Sequence, residues 1–323
     1  MEGSMKANHR WQRRSVLLAG IGLAGASLFN IARRGRDQSG SVNTTASLQS
    51  QEQSMDNARP LKLGWSPWAD AEVVSLMASQ LIQSRLNVPV ERVMADIGIQ
   101  YESVARGDLD LMLMAWLPGT HRDYWSRIRD RVLDLGPMYS GRLGWIVPDY
   151  VPETVLNSIK QLKDPDLATR FANRVQGIDP GSGLNQASLE ALKRYDLKDV
   201  DLVASSSAAM AAVLAQAIDE KRWMIATSWT PHWMFARYNL RFLKDPDGVF
   251  GGTERIHAVA RQGLDRRAPS VTAFLSRFHL PDSDLDGLLL QAQEQSAEEA
   301  VAAYLERNPA RVTYWCTGRM SAS

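Results

Sequence analysis

Cysteine is nearly missing from this chain: its 323 residues include one, Cys316. A single thiol excludes an internal disulfide and any cysteine-built zinc site, and no nucleophile signature surrounds it, so Cys316 reads as incidental. An excess of either charge is also missing. The 37 Lys and Arg against 36 Asp and Glu leave a net charge of +1, and no RNA-recognition or helix-turn-helix signature occurs, so nucleic acid is not an expected partner. Histidine is sparse. The five (His9, His121, His232, His257 and His279) are dispersed without an H-x-x-x-H pair, so no metal site is expected. Phosphate-binding and dinucleotide glycine patterns do not occur. In "DPGSG" (179–183) Pro180 stands where a nucleophile elbow needs glycine. The acidic "DLDLML" (108–113) reads as a strand entered from a turn rather than a carboxylate pair. Neither a catalytic residue nor a cofactor is expected.

Long apolar runs are confined to the N-terminus. Arg13 and Arg14 precede a Gly/Ala-rich apolar run from about Val16 to Ile31, the layout of a twin-arginine-like export signal. Residues 1–36 are therefore expected to direct export, either cleaved or retained as an N-terminal anchor. No cysteine ends the run, which excludes lipoprotein anchoring. The Ser-, Gln-, Asn- and Thr-rich stretch 37–59 reads as a disordered spacer.

From residue 61 onward, strand and helix patterns alternate. "LKLGW" (61–65), "VERVM" (90–94), "DLMLMAW" (110–116) and "GRLGWIVP" (141–148) read as strands, separated by helical spacing such as Val73, Leu76, Met77 and Leu81. A second series follows, with strands at "VQGID" (175–179), "VDLVAS" (200–205), "RWMIATSW" (222–229) and "ERIHAVAR" (254–261), and then three helices. The pattern fits α/β lobes, lobe 1 from 60–148 plus 250–316 and lobe 2 from 149–249. The strands near 142–148 and 254–260 would make the two crossings, and such a hinged cleft closes around a ligand. A single continuous doubly wound sheet is the alternative on pattern alone.

Tryptophan is plentiful: ten, against seven Phe and eight Tyr. Ligands of open α/β sheets bind beyond the carboxyl ends of strands, so residues at those ends are the ones to inspect. Trp68 (with Trp65 just before it) follows the first strand, Trp116 the third, and Trp229 ends "WMIATSW". His121 lies on the loop after Trp116, and "GIDPGSG" (177–183) opens a helix whose free N–H groups suit an anion. Several indole faces without inward acceptors favour a quaternary ammonium, each desolvated face contributing roughly 1–2 kcal/mol. A histidine and a helix N-terminus suit a carboxylate at the other end. The implied ligand is a small zwitterion such as a betaine.

The stretches "PWADAE", "ARGDLDLMLMAWLPGTH", "GIDPGSG", "SSSAAM" and "SWTPHWMFARYNLRFLKDP" resemble the substrate-binding proteins of glycine betaine-type ABC importers, over about Leu61 to Trp315. The resemblance implies a two-lobed type II periplasmic binding protein fold with the ligand in the interlobe cleft. It implies an aromatic box of Trp68, Trp116 and Trp229, with Trp65 as a substitute for Trp68. It also implies carboxylate binding by His121 and by the backbone N–H groups of Gly177 and Ile178. His232 is expected to brace Trp229, with direct ligand contact the lesser option. The expected partners are a quaternary-ammonium ligand (glycine betaine, proline betaine or choline-like) and an ABC permease with its ATPase, the binding protein itself being a monomer outside the cytoplasm. A sensory domain for betaine or choline and an enzyme acting on quaternary amines are the rival readings.

Overall fold

Short runs of apolar residues build the strands, the central ones apolar almost throughout because both faces are covered. The computed structural model describes residues 59–320, all within one unit, Gln53–Ser323. The expected export signal and all but the last residue of the expected spacer lie outside the described residues.

In chain order the first half comprises β1 (Leu61–Trp65), α1 (Ala69–Leu86), β2 (Val90–Met94), α2 (Ile97–Arg106), β3 (Leu111–Leu117), α3 (Arg122–Ile128) and β4 (Val132–Pro148). There follow α4 (Pro165–Thr169), β5 (Arg174–Gln176), α5 (Gly183–Arg194), β6 (Asp201–Val203), α6 (Ser207–Asp219), β7 (Ile225–Thr230), α7 (Trp233–Arg237) and β8 (Leu240–Phe242). The chain returns through β9 (Glu254–Arg261) to α8 (Leu264–Arg267), α9 (Pro269–Leu275), α10 (Asp282–Glu294), α11 (Ala297–Arg307) and α12 (Pro309–Thr317).

The strand order is β2-β1-β3-β9-β4-β7-β5-β6, with β8 on the side of β4. β1, β2 and β3 are parallel, as are β5, β6 and β7, while β9 runs antiparallel to its neighbours. β4 belongs to both halves. Its residues up to Gly141 pair with β9, and from Arg142 onward it pairs with β7 and β8. The strand expected from the sequence, 141–148, covers only the second half of β4. In the structure Gly136 and Pro137 sit in a bulge: Gly136 has a φ of 97°, and the β4–β9 register shifts between Asp134 and Pro137. A proline that cannot donate and a glycine in the left-handed region are both accommodated at such an irregularity. The last helix, α12, had no counterpart in the pattern reading.

Both halves are packed by helices over buried strands. β3 is buried along its whole length, as expected for a strand covered on both faces. Strand β7 is likewise buried up to Trp229, so the two strands that carry candidate tryptophans are rigid platforms.

Candidate functional site

Three indoles, one histidine and one carboxylate meet between the two halves of the sheet. Trp68, Trp116, Trp229, His121, Asp70 and Ile178 line a pocket with about 310 Å³ of empty space, part of it open to solvent. Trp68 is the residue immediately before α1, held in extended backbone by the turn after β1, and its indole N–H donates to Asp179 Oδ1 at 2.8 Å. Trp116 lies one residue from the end of β3 and Trp229 one residue from the end of β7. All three rings are buried, each below 8% exposure, while remaining in the cavity wall. Each tryptophan comes from a separate segment, so only the tertiary fold assembles the box.

His121 is fixed by the residue it serves beside. The Trp116 N–H donates to His121 Nδ1 at 3.1 Å, and the His121 N–H donates to the Trp116 carbonyl at 3.0 Å. Burial drives its pKa down to about 3, a hydrogen bond with the Met114 carbonyl opposing the shift, so the ring is neutral at ordinary pH. With Nδ1 accepting from the Trp116 N–H, the tautomer that offers a ligand a donor is the one with its proton on Nε2. The adjoining loop is held by Glu254, the first residue of β9. Its carboxylate accepts the Gly119 and Thr120 N–H groups at 2.9 Å and also the Thr120 hydroxyl. Glu254→Gln turns an N–H donor of the amide toward one of these donors. The expected loss is about 2 kcal/mol of stability in the ligand-free protein, measured by urea denaturation, as for a buried hydrogen bond to a charged group.

Opposite His121 stands the start of α5. The Ser182 hydroxyl caps this helix by accepting the Asn185 N–H at 3.1 Å, and leaves the N–H groups of Gly183 and Leu184 at the cavity wall. Gly183 is required there by close approach: a Cβ would collide with Thr120 and come within 3.0 Å of His121 Cδ2. The two amides expected to bind a carboxylate separate in the structure. Gly177 does not line the cavity, and its N–H already donates to the Val203 carbonyl at 2.9 Å. Ile178 does line it, and its N–H donates to no acceptor among the described residues. The difference arises because β5 extends its parallel pairing with β6 by one hydrogen bond beyond Gln176.

Trp65 lies outside the cavity. It is half-buried on the other side of the first turn, with the Arg92 guanidinium 5.4 Å from its ring centre. His232 is also outside the cavity lining. Its ring meets Trp229 edge-on at 4.6 Å and 89°, and its Nδ1 accepts the Met234 N–H at 3.2 Å, capping α7. Burial lowers its pKa to about 3, so it too is neutral.

Asp70 was missed by sequence reasoning. An acidic residue in the first turn of a helix is ordinarily explained by the helix dipole and left in solvent. Asp70 instead is fully buried, and its carboxylate accepts the Tyr139 hydroxyl at 2.8 Å and the Trp229 indole N–H at 3.0 Å. Burial raises its pKa from 3.8 to about 6 against the lowering effect of those two bonds. The donors are 69 and 159 residues away, so no local pattern could have marked the position.

The arrangement is that of a binding protein: a pocket with aromatic walls between two halves of an α/β sheet. Among the described residues no cluster of His, Cys, Asp or Glu suits a metal ion, and no helix is long and apolar enough to cross a membrane. The chain belongs to the family of substrate-binding domains of ABC-type glycine betaine transport systems, which residues 59–307 match. It is 37% identical over 156 residues to the glycine betaine/carnitine transport binding protein of Listeria monocytogenes, covering 47% of this chain and 52% of that protein. It is 28% identical over 160 residues to the glycine betaine/proline betaine-binding periplasmic protein of Salmonella typhimurium, covering 46% of this chain and 47% of that one. The chain thus spans about half the length of the curated relatives it matches.

Among solved structures, the lactococcal OpuAC protein in its closed, glycine betaine-bound form superposes with a TM-score of 0.73 at 32% identity, covering 80% of this chain and all of that one. A glycine betaine/L-proline-binding protein from Borrelia burgdorferi gives a TM-score of 0.74 at 28% identity, covering 80% of this chain and 97% of that one. The fold is the two-lobed one of periplasmic binding proteins.

Proposed function

We propose that the protein is the ligand receptor of an ABC importer for glycine betaine or a closely related quaternary-ammonium zwitterion. The observation that carries this reading is the convergence, on one cavity, of three indole faces, a buried carboxylate and a neutral histidine donor. Trp68, Trp116 and Trp229 hold the cation by their ring faces, and Asp70 supplies the negative charge beneath it. His121 Nε2, the Ile178 N–H and the start of α5 receive the ligand's carboxylate. His232 braces Trp229 and does not touch the ligand.

The lobes are assigned as 60–148 with 250–316 and as 149–249. The change of partner within β4 at Gly141 and Arg142 supports a first crossing near the expected strand 142–148. Trp68 and Trp116 then belong to one lobe and Trp229 to the other, so the cation completes its contacts only on closure. A permease and its ATPase recognise the closed form, which the ligand stabilises by differential contact. The protein acts outside the cytoplasm as a monomer, delivered by the N-terminal signal.

Calorimetric titration with glycine betaine, proline betaine, carnitine, choline and a plain amino acid tests the reading. The first three should bind and the amino acid should not; a protein that prefers the amino acid overturns it. His121→Ala should weaken glycine betaine by about 10- to 100-fold, the value of a hydrogen bond to a carboxylate, and choline by less than about threefold. Equal losses would remove His121 from its role as anion partner.

A further inference from the structure

Two of the bonds that join the lobes, Trp68 to Asp179 and Trp229 to Asp70, run through the cavity walls. A third link lies outside them. Tyr124, in the first turn of α3, donates its hydroxyl to the Gly181 carbonyl at 3.1 Å and accepts the Gln186 side-chain N–H at 2.9 Å. Gly181 and Gln186 flank the start of α5, on the opposite side of the cleft, and Tyr124 does not line the cavity.

The ring that carries this hydroxyl is held in place. It stacks on buried Tyr101 at 5.4 Å and 20°, and it packs so closely on Gly98 that a Cβ there would lie 3.1 Å from it. Tyr101 in turn meets His121 edge-on at 5.5 Å, and His121 is the residue that opens α3. One rigid aromatic group therefore carries both a residue of the cavity wall, His121, and the hydroxyl aimed across the rim. The partners on α5 sit one turn or less from Ser182 and Gly183, which face His121 inside.

We infer that Tyr124 is a closure residue: it holds the α3 and α5 rims together and strengthens binding without touching the ligand. This rests on the reading of the cavity as a quaternary-ammonium site. A link of this kind stabilises the closed state with or without ligand, so its loss shifts the ligand-free protein toward the open form, appears in the dissociation rate and is blind to the ligand's chemistry.

The test is Tyr124→Phe, which removes both hydrogen bonds and keeps the stacked ring. Glycine betaine and choline should each lose about three- to tenfold in affinity, by the same factor and through faster dissociation, as expected for two rim hydrogen bonds. Gln186→Ala added to Tyr124→Phe should cost nothing further. Unchanged affinity and dissociation rate overturn the inference, and so does a loss confined to glycine betaine, which would show Tyr124 acting through His121. A parent protein that binds none of these ligands overturns the functional reading instead. In that case the cleft width of the ligand-free protein decides, read between spin labels at Gln83 and Ala212 with Cys316 replaced by serine. A wider cleft in Tyr124→Phe supports the closure role, and an identical one overturns it.

Discussion

Trp229→Ala is expected to raise the Kd for glycine betaine by about 100-fold, measured by calorimetry on a variant whose far-ultraviolet circular dichroism matches the parent. Two losses combine in it. The first is a desolvated ring face against the cation, roughly 1–2 kcal/mol. The second is the indole N–H that donates to Asp70 at 3.0 Å, a bond to a buried carboxylate worth about 1.5–3 kcal/mol. Trp229→Phe separates the two, because it restores an aromatic face and leaves Asp70 without that donor. Its expected loss is about tenfold. Binding by Trp229→Ala as tight as the parent's would remove Trp229 from the box.

Asp70 is expected to make both stability and binding depend on pH, in opposite senses. Its pKa is raised from 3.8 to about 6, chiefly by burial, so the folded protein holds this proton more tightly than the unfolded chain does. Below about pH 4 both states are protonated and nothing is lost. As pH rises from about 4 to about 6 the unfolded chain releases its proton first, and this site withdraws about 3 kcal/mol of stability from the ligand-free protein. Asp70→Asn should abolish that part of the slope, seen as the difference between parent and variant in urea denaturation at several pH values.

Binding runs the other way. A quaternary ammonium favours the ionised carboxylate, so lowering the pH from 7 to 5 protonates Asp70 and should raise the Kd for glycine betaine by about tenfold. His121 and His232, both pushed down to about 3, do not titrate in this window and cannot supply the effect. Asp70→Asn should bind glycine betaine and choline about tenfold or more weakly at pH 7, and with a flat profile. A variant that keeps the parent's pH profile would remove Asp70 from the site.

Much of this molecule was readable along the chain. The alternation of apolar runs and helical spacing shows an α/β protein, because strands buried on both faces must be continuously apolar, as β3 is. That Trp68, Trp116 and Trp229 share one cavity was legible because each ends or follows a strand, and in such folds strand ends border the cleft. The first half of β4 was not legible, since Gly136 and Pro137 carry turn chemistry that a bulge absorbs. Trp65 and Trp68 could not be separated by composition, and only the direction of the turn after β1 places one in the cavity and the other under Arg92.

The sequence by itself determined the family and the α/β fold class, through strand–helix alternation and the stretches "AWLPGTH" and "SWTPHWMFARY", and its many indoles raised the expectation of a cation-binding cavity. The tertiary structure decided which polar groups remain available to a ligand. It spent the Gly177 N–H inside the sheet and left that of Ile178 unused. It made the His121 ring neutral by burying it and occupied its Nδ1. It carried Asp70 from the first turn of α1 to the wall of the cavity, against the Trp229 indole N–H. The reason is common to all three: a hydrogen-bonding group is free or spent according to neighbours that the fold brings from far along the chain, and residue identity carries no record of them.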